Sequence, residues 1–239
     1  MKIVSYLFGV VIVLSGLLIS SAQAMTPIGP SVATLDDLQF AVGFGYSHSK
    51  GDIEISALGL KATAKDVEID TYMANLALGI SKDWEVQFDI GGSSFDYVDF
   101  SSTGDCAWGF GVKNTLWEKD KIKLGAAFTL HWYEASDSGV TLGIPWEEKV
   151  RWREIQIAVG PSYKDDAVCL YGGPFLHFID GDGDVTIGGI EFSGDIEQDS
   201  IFGGFIGGRL DLNDNISLGV EYQLTSSVQA IGASILWRF

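Results

Sequence analysis

Hydrophobic and polar positions alternate with a period of two along most of this chain. Phe40, Val42, Phe44 and Tyr46 take every second place, and Ala41, Gly43, Gly45 and Ser47 fill the gaps. Trp84, Val86, Phe88 and Ile90 alternate with Glu85, Gln87, Asp89 and Gly91. Ile216, Leu218, Val220, Tyr222 and Leu224 alternate with Ser217, Gly219, Glu221 and Gln223. Similar runs begin near Tyr72, Trp108, Ile122, Ile155, Phe202 and Ile231. A period of two marks a strand with two unlike faces. With 168–179, where both parities are apolar, the pattern predicts about ten strands, eight being the alternative. Short polar turns (Ser81-Lys82-Asp83, Glu118-Lys119-Asp120, Lys164-Asp165-Asp166, Asn213-Asp214-Asn215) alternate with connections that are mostly long, near 49–66, 95–105, 135–149 and 180–198. Thr225-Ser226-Ser227 is a short member of the second set.

The first residues follow a different rule. Lys2 precedes an apolar run from Ile3 to Ile19, and Ala22-Gln23-Ala24 has the small residues of a cleavage site. This is the pattern of a secretory signal peptide over 1–24. A retained helix would need about 20 apolar residues to span a bilayer. The exported chain then begins with a short periplasmic lead-in, 25–37, with Pro27 and Pro30, for which a small plug is the alternative, and continues as one domain from 38 to 239.

One face of every strand is apolar and aromatic, while the other is small, polar or charged. The polar face carries Glu85, Asp89, Lys113, Lys123, Glu154, Arg209, Asp211, Glu221 and Arg238. Charges of both signs on one face suit a lumen in which they pair, with the apolar face turned to lipid. Backbone groups in lipid have no water to bond, so such a sheet must close. The expected fold is all-β: a closed, antiparallel, up-and-down transmembrane β-barrel with aromatic girdles at the strand ends. A secreted barrel or sandwich with its apolar face inward is the soluble alternative. The formal net charge of −17 argues against nucleic acid as a partner. Two cysteines, Cys106 and Cys169, are too few for a disulfide scaffold.

The chain closes on Ile235, Trp237 and Phe239 at alternate positions. This ending resembles the C-terminal signature of bacterial outer-membrane barrels. The chain as a whole resembles the small OmpA/OmpX-type barrels of Gram-negative cells, without a peptidoglycan-binding domain. The resemblance implies an outer-membrane location and contact with lipid and lipopolysaccharide. It also implies recognition of the last strand by the barrel-assembly machinery. A monomer is expected.

Three features could carry chemistry. Asp180, Asp182, Asp184 and Glu191 in DGDGDVTIGGIE match positions 1, 3, 5 and 12 of a calcium loop. Position 6, normally Gly, is Val185, so an acidic loop tip competes with a weak Ca²⁺ site, and no other cofactor is expected. His48, His131 and His177 fall near the long-loop rim, where outer-membrane proteases and lipid A-modifying enzymes act. No spacing here matches a nucleophile with its base, and an enzyme is not expected. Ten strands leave little open lumen, whereas porins use 16–18. The expected role is structural or surface-interacting, with a narrow channel as the second reading and a rim enzyme as the third. If the barrel closes, the chain from an outer-membrane fraction should change its mobility on a detergent gel after boiling. A soluble periplasmic chain with no such shift would point the apolar faces inward.

Overall fold

The computed structural model describes residues 25–239 apart from 58–59, 98–99, 142 and 198–200, and of 52–66, 95–105, 141 and 195–197 only the backbone. The leader expected at 1–24 lies outside the described residues. Eleven strands follow one another: β1 (Phe40–Ala57), β2 (Leu60–Ser81), β3 (Trp84–Tyr97), β4 (Phe100–Lys119), β5 (Ile122–Thr141), β6 (Ile144–Asp165), β7 (Val168–Ile187), β8 (Ile190–Glu197), β9 (Phe202–Asp211), β10 (Ile216–Thr225) and β11 (Val228–Arg238). β11 pairs back onto β1, from Ala41 opposite Arg238 to Gly51 opposite Val228. That ladder closes a ten-stranded antiparallel barrel of β1–β7 and β9–β11.

β8 stands above this wall. It pairs with β7 from Asp180–Glu197 to Ile187–Ile190, and it meets β1 at Ile55–Ile196 and Ser56–Asp195. β10 and β11 end lower, at the Thr225–Val228 turn. Above that turn β1 exchanges β11 for β8. The lower barrel therefore has ten strands and the crown above it eight.

The faces follow the alternation. Phe44, Ile90, Ile206 and Val220 are half exposed or more on the outside, while Ala41, Ala107, Glu154 and His177 are fully buried on the inside. β9, β10 and β11 have 10, 10 and 11 residues, close to the ~9–11 that a tilted strand needs to cross hydrocarbon. β2 and β6 have 22 each, so they continue well above it. The long loops expected at 49–66, 95–105, 135–149 and 180–198 are thus largely paired strands. Ser136, Asp137 and Ser138 of β5, for example, face Lys149, Glu148 and Glu147 of β6. Above lipid neither face must be apolar, so the alternation fades while the ladder continues.

The turns have local causes. Asp120 and Asp166 adopt φ of 55° and 44°, a left-handed conformation that aspartate tolerates better than most residues. Gly188 and Gly189, at φ 57° and 86°, form the two-residue turn between β7 and β8. The girdle is visible where Trp108 and Trp132 stack at 4.2 Å. Ile235, Trp237 and Phe239 all face outward. Phe239 stacks on Trp237 at 5.7 Å, and its amide donates to Phe40 O at 2.8 Å, which seats the last residue on the closing seam. Cys106 and Cys169 are free thiols, one exposed and one buried.

Residues 25–37 depart from the expectation. Residues 25–35 do not form a lead-in below the barrel but fill its lumen, with Met25, Ile28, Val32, Ala33 and Leu35 all buried, while Asp36 and Asp37 are exposed. This explains why β7 is apolar on both sides. Tyr171 and Phe175 on its inner face pack with Met25 and Ile28, while Leu170 and Leu176 face outward. At the lower end Leu35 packs with Ala41 and Ala77, against Leu236.

Candidate functional site

The segment 25–35 is a plug, and three carboxylates of the wall hold it. Glu221 on β10 accepts the amides of Ile28 and Gly29, each at 2.8 Å. Glu85 on β3 accepts the amide of Thr34 at 2.7 Å, its hydroxyl at 3.1 Å and the amide of Leu35 at 3.2 Å. Glu154 on β6 accepts the Thr26 hydroxyl at 3.1 Å. The wall adds Thr115 Oγ1, which accepts the Ala33 amide at 3.2 Å, and Gln223 Nε2, which donates to Thr26 O at 3.0 Å. A non-repetitive segment has no ladder for its amides, and an unmet buried N–H costs about 1–3 kcal/mol. Carboxylates on inward positions supply the missing acceptors. Wall glycines let the plug approach. A Cβ on Gly125 would lie 2.5 Å from Ser31 O, and one on Gly232 would lie 2.3 Å from Pro27 Cγ.

The predicted lumen charges mostly come together around this plug. Lys113 lies 3.8 Å from Glu85. Arg209 and Arg238 flank Asp211 at 3.3 and 3.2 Å near the lower rim. Lys123 is different: it pairs with Glu118 at 3.2 Å at the β4–β5 turn. Two of the three histidines also enter the network. Asp89 takes His131 Nε2 at 3.1 Å and accepts from Asn75 Nδ2 and Gln87 Nε2 at 2.7 and 3.3 Å. Glu154 takes His177 Nε2 at 3.0 Å and accepts from Tyr133 Oη and Gln156 Nε2 at 3.0 and 2.7 Å. His48 lies on the other face, 3.0 Å from Asp70, which also accepts from Tyr46 Oη. Sequence spacing does not show the two buried pairs, since their members stand 42 and 23 residues apart. Inward parity on neighbouring strands is the signal that could have found them.

The aspartates of the calcium-loop motif lie on a strand. Along a strand, same-face neighbours stand about 6.5–7 Å apart, and the cation that Asp182 and Asp184 share here is a guanidinium. Each faces a cation of β6. Arg153 pairs with Asp180 at 2.8 Å, and Arg151 with Asp182 and Asp184 at 2.6 and 2.9 Å. Glu191 lies opposite Thr186 on β8. Among the described residues no three His, Cys, Asp or Glu side chains are grouped to hold a metal.

Comparison with models of known families gives no match, nor does comparison with curated proteins. Solved structures do match. The outer-membrane protease OmpT of Escherichia coli superposes with a TM-score of 0.52 at 10% identity, over 92% of this chain and 100% of that one. The translocator domain of the autotransporter NalP from Neisseria meningitidis gives 0.49 at 10% identity, over 85% and 90%. An outer-membrane channel from Pseudomonas putida F1 gives 0.46 at 14% identity, over 90% and 100%. The chain has the fold of the small outer-membrane β-barrels. At 10% identity the likeness to the protease shows the fold alone, and a fold names no activity.

Two predictions follow the geometry. Glu221→Ala removes the acceptor of two plug amides and should speed hydrogen exchange at Ile28 and Gly29 by about tenfold or more, with Glu221→Gln intermediate. Exchange as slow as in the parent would mean that Glu221 does not hold the plug. The second concerns Glu148 in the crown. It is buried, its Oε1 lacks a hydrogen-bond partner, and it stands opposite Asp137. Burial, with Asp137 adding to it, pushes its carboxyl up to about 8. A carboxyl raised in the folded state binds its proton more tightly than in the unfolded chain. Stability therefore falls as pH rises from the ordinary carboxylate range through 8. Glu148→Gln should flatten that decline, read from the pH dependence of the folded band's melting temperature.

Proposed function

We propose that this protein is an outer-membrane barrel closed at rest, a pedestal that presents a rigid β-crown outside the membrane. The observation that carries the reading is the lumenal plug, bonded to Glu85, Glu154 and Glu221 and sealed by apolar contacts at both ends. With the lumen filled by its own chain, the crown is the part left to meet partners. Its outer wall is lined with ion pairs: Lys149–Glu134 at 2.7 Å beside the Arg151 and Arg153 pairs. Outer-membrane lipid and lipopolysaccharide surround the barrel in this reading, and the barrel-assembly machinery receives its last strand. The two buried histidine–carboxylate pairs are sealed from solvent, which supports a structural role for them over an enzymatic one.

A specific feature favours a narrow, gated passage as the second reading. Among the described residues, no backbone–backbone bond ties residues 26–35 to the wall. A plug held through wall side chains and not through a backbone ladder can leave without breaking the barrel.

Planar-bilayer recording separates the two. The closed-pedestal reading expects no conductance steps from the intact protein at moderate voltage. It expects steady steps once residues 26–35 are deleted, or once Gly125→Val pushes the plug aside. Reproducible opening and closing of the intact protein would replace the pedestal by the gated passage. Heat-modifiable mobility of each variant on a gel confirms that it is folded.

A further inference from the structure

The plug does not fill the lumen evenly. Between it and the β1, β2, β10 and β11 wall lies a cavity of about 130 Å³. A buried water needs about 10–15 Å³ of such space, so several waters or one small ion fit. The wall is low here because its inward positions are small: Gly43, Gly45, Ala77, Gly219 and Ser234. The charged lining is Glu85, Asp89, Glu221, Lys113 and Arg209.

Donors and acceptors are unequally used around this cavity. Each carboxylate is met by at least three donors. Glu85 holds Thr34 twice and Leu35. Asp89 holds Asn75 and Gln87 and is paired with His131. Glu221 holds Ile28, Gly29 and Gln223. The cations are in the opposite condition. Lys113 and Arg209 are at least nine-tenths buried. Lys113 stands 3.8 Å from Glu85 and acts on Glu221 as well, but among the described residues its ammonium donates no hydrogen bond. Arg209 Nε stands 3.3 Å from Asp211 but makes no hydrogen bond. An ammonium offers three N–H donors and a guanidinium five, and a buried donor left unmet is costly. The hydroxyl of Ser217 on the same lining accepts from Arg238 at 3.0 Å, which leaves its proton free to donate.

We propose that this cavity is a binding site for a small oxyanion, a carboxylate or a phosphate, held by Lys113 and Arg209 with Ser217 beside them. The ligand supplies the acceptors that the wall and plug have already spent. Three carboxylates line the same space, so binding is weak and selective for size. The site exists in the closed barrel and does not depend on whether the plug moves.

The test uses the full protein in detergent, titrated with phosphate, acetate, chloride and tetramethylammonium at constant ionic strength. The readouts are calorimetry and the melting temperature of the folded band. The expected result is saturable binding of phosphate or acetate, with a rise in melting temperature. It should weaken at least tenfold in Lys113→Met and in Arg209→Gln. Ser234→Leu fills the cavity while keeping both cations, and it should abolish binding in a barrel that still shows heat-modifiable mobility. No saturable oxyanion binding by the parent overturns the proposal. So does binding that survives Ser234→Leu, or a preference for tetramethylammonium. Conductance plays no part in these readouts, so the outcome is separable from that of the bilayer recording.

Discussion

A sheet that passes through hydrocarbon has no water to satisfy its edges, and the pairing of β1 with β11 is how this chain removes them. From Ala41–Arg238 to Gly51–Val228 the first and last wall strands exchange backbone bonds, and every strand between them is held on both sides. Closure divides the side chains into two populations with opposite needs. Those outside meet lipid and are large and apolar. Those inside are removed from both water and lipid, so each polar group must find a partner across a narrow space. Where the ring rises clear of the membrane the constraint relaxes, and β8 can take the place of β10 and β11 beside β1.

The lumen shows how the inner population is satisfied. The wall carries carboxylates that side-chain cations do not fully neutralise. Their other partners are N–H groups of a segment with no secondary structure of its own. The plug and the carboxylates therefore complete each other. Without the segment, Glu85 and Glu221 would be buried carboxylates short of donors, and Glu154 would keep only its wall partners Tyr133, Gln156 and His177. Without the carboxylates, the segment's amides would be buried donors short of acceptors. Arg238, Asp211 and Arg209 close the lower end in the same way.

Much of the barrel was legible because lipid imposes a period of two, and Phe88 beside Asp89 cannot be read otherwise. The inward charges could be named from parity alone, and those on β3, β4, β6 and β10 do line the plug. The plug was legible only as the lesser alternative to a lead-in. The segment carries no periodicity, and its wall partners lie 50 to 197 residues away. The apolar inner face of β7 was the available sign, since Tyr171 and Phe175 need something apolar inside a polar lumen. The crown was legible at 49–66, where the alternation of Ile53, Ile55 and Ala57 suggests a first hairpin extended above the membrane, and was missed elsewhere for the converse reason. At Ser136–Ser138 the backbone ladder persists while the side chains no longer report it. The spacing of Asp180, Asp182 and Asp184 suggested a loop that wraps an ion, yet the same spacing places three carboxylates along one side of a strand. Arg151 and Arg153 stand on the next strand, in register with them.

The wall's glutamates grip the plug chiefly by its backbone, at Ile28, Gly29, Thr34 and Leu35. Pro27 and Pro30, which have no amide proton to give, stand at positions the wall does not use. The letters of the plug are therefore largely free to drift among descendants of this sequence. What cannot drift is the rhythm of donors, so a proline at 28, 29, 34 or 35 would be lost while many other exchanges passed unnoticed. The inheritance of the closed state would be written mainly in the barrel and only lightly in the segment that closes it.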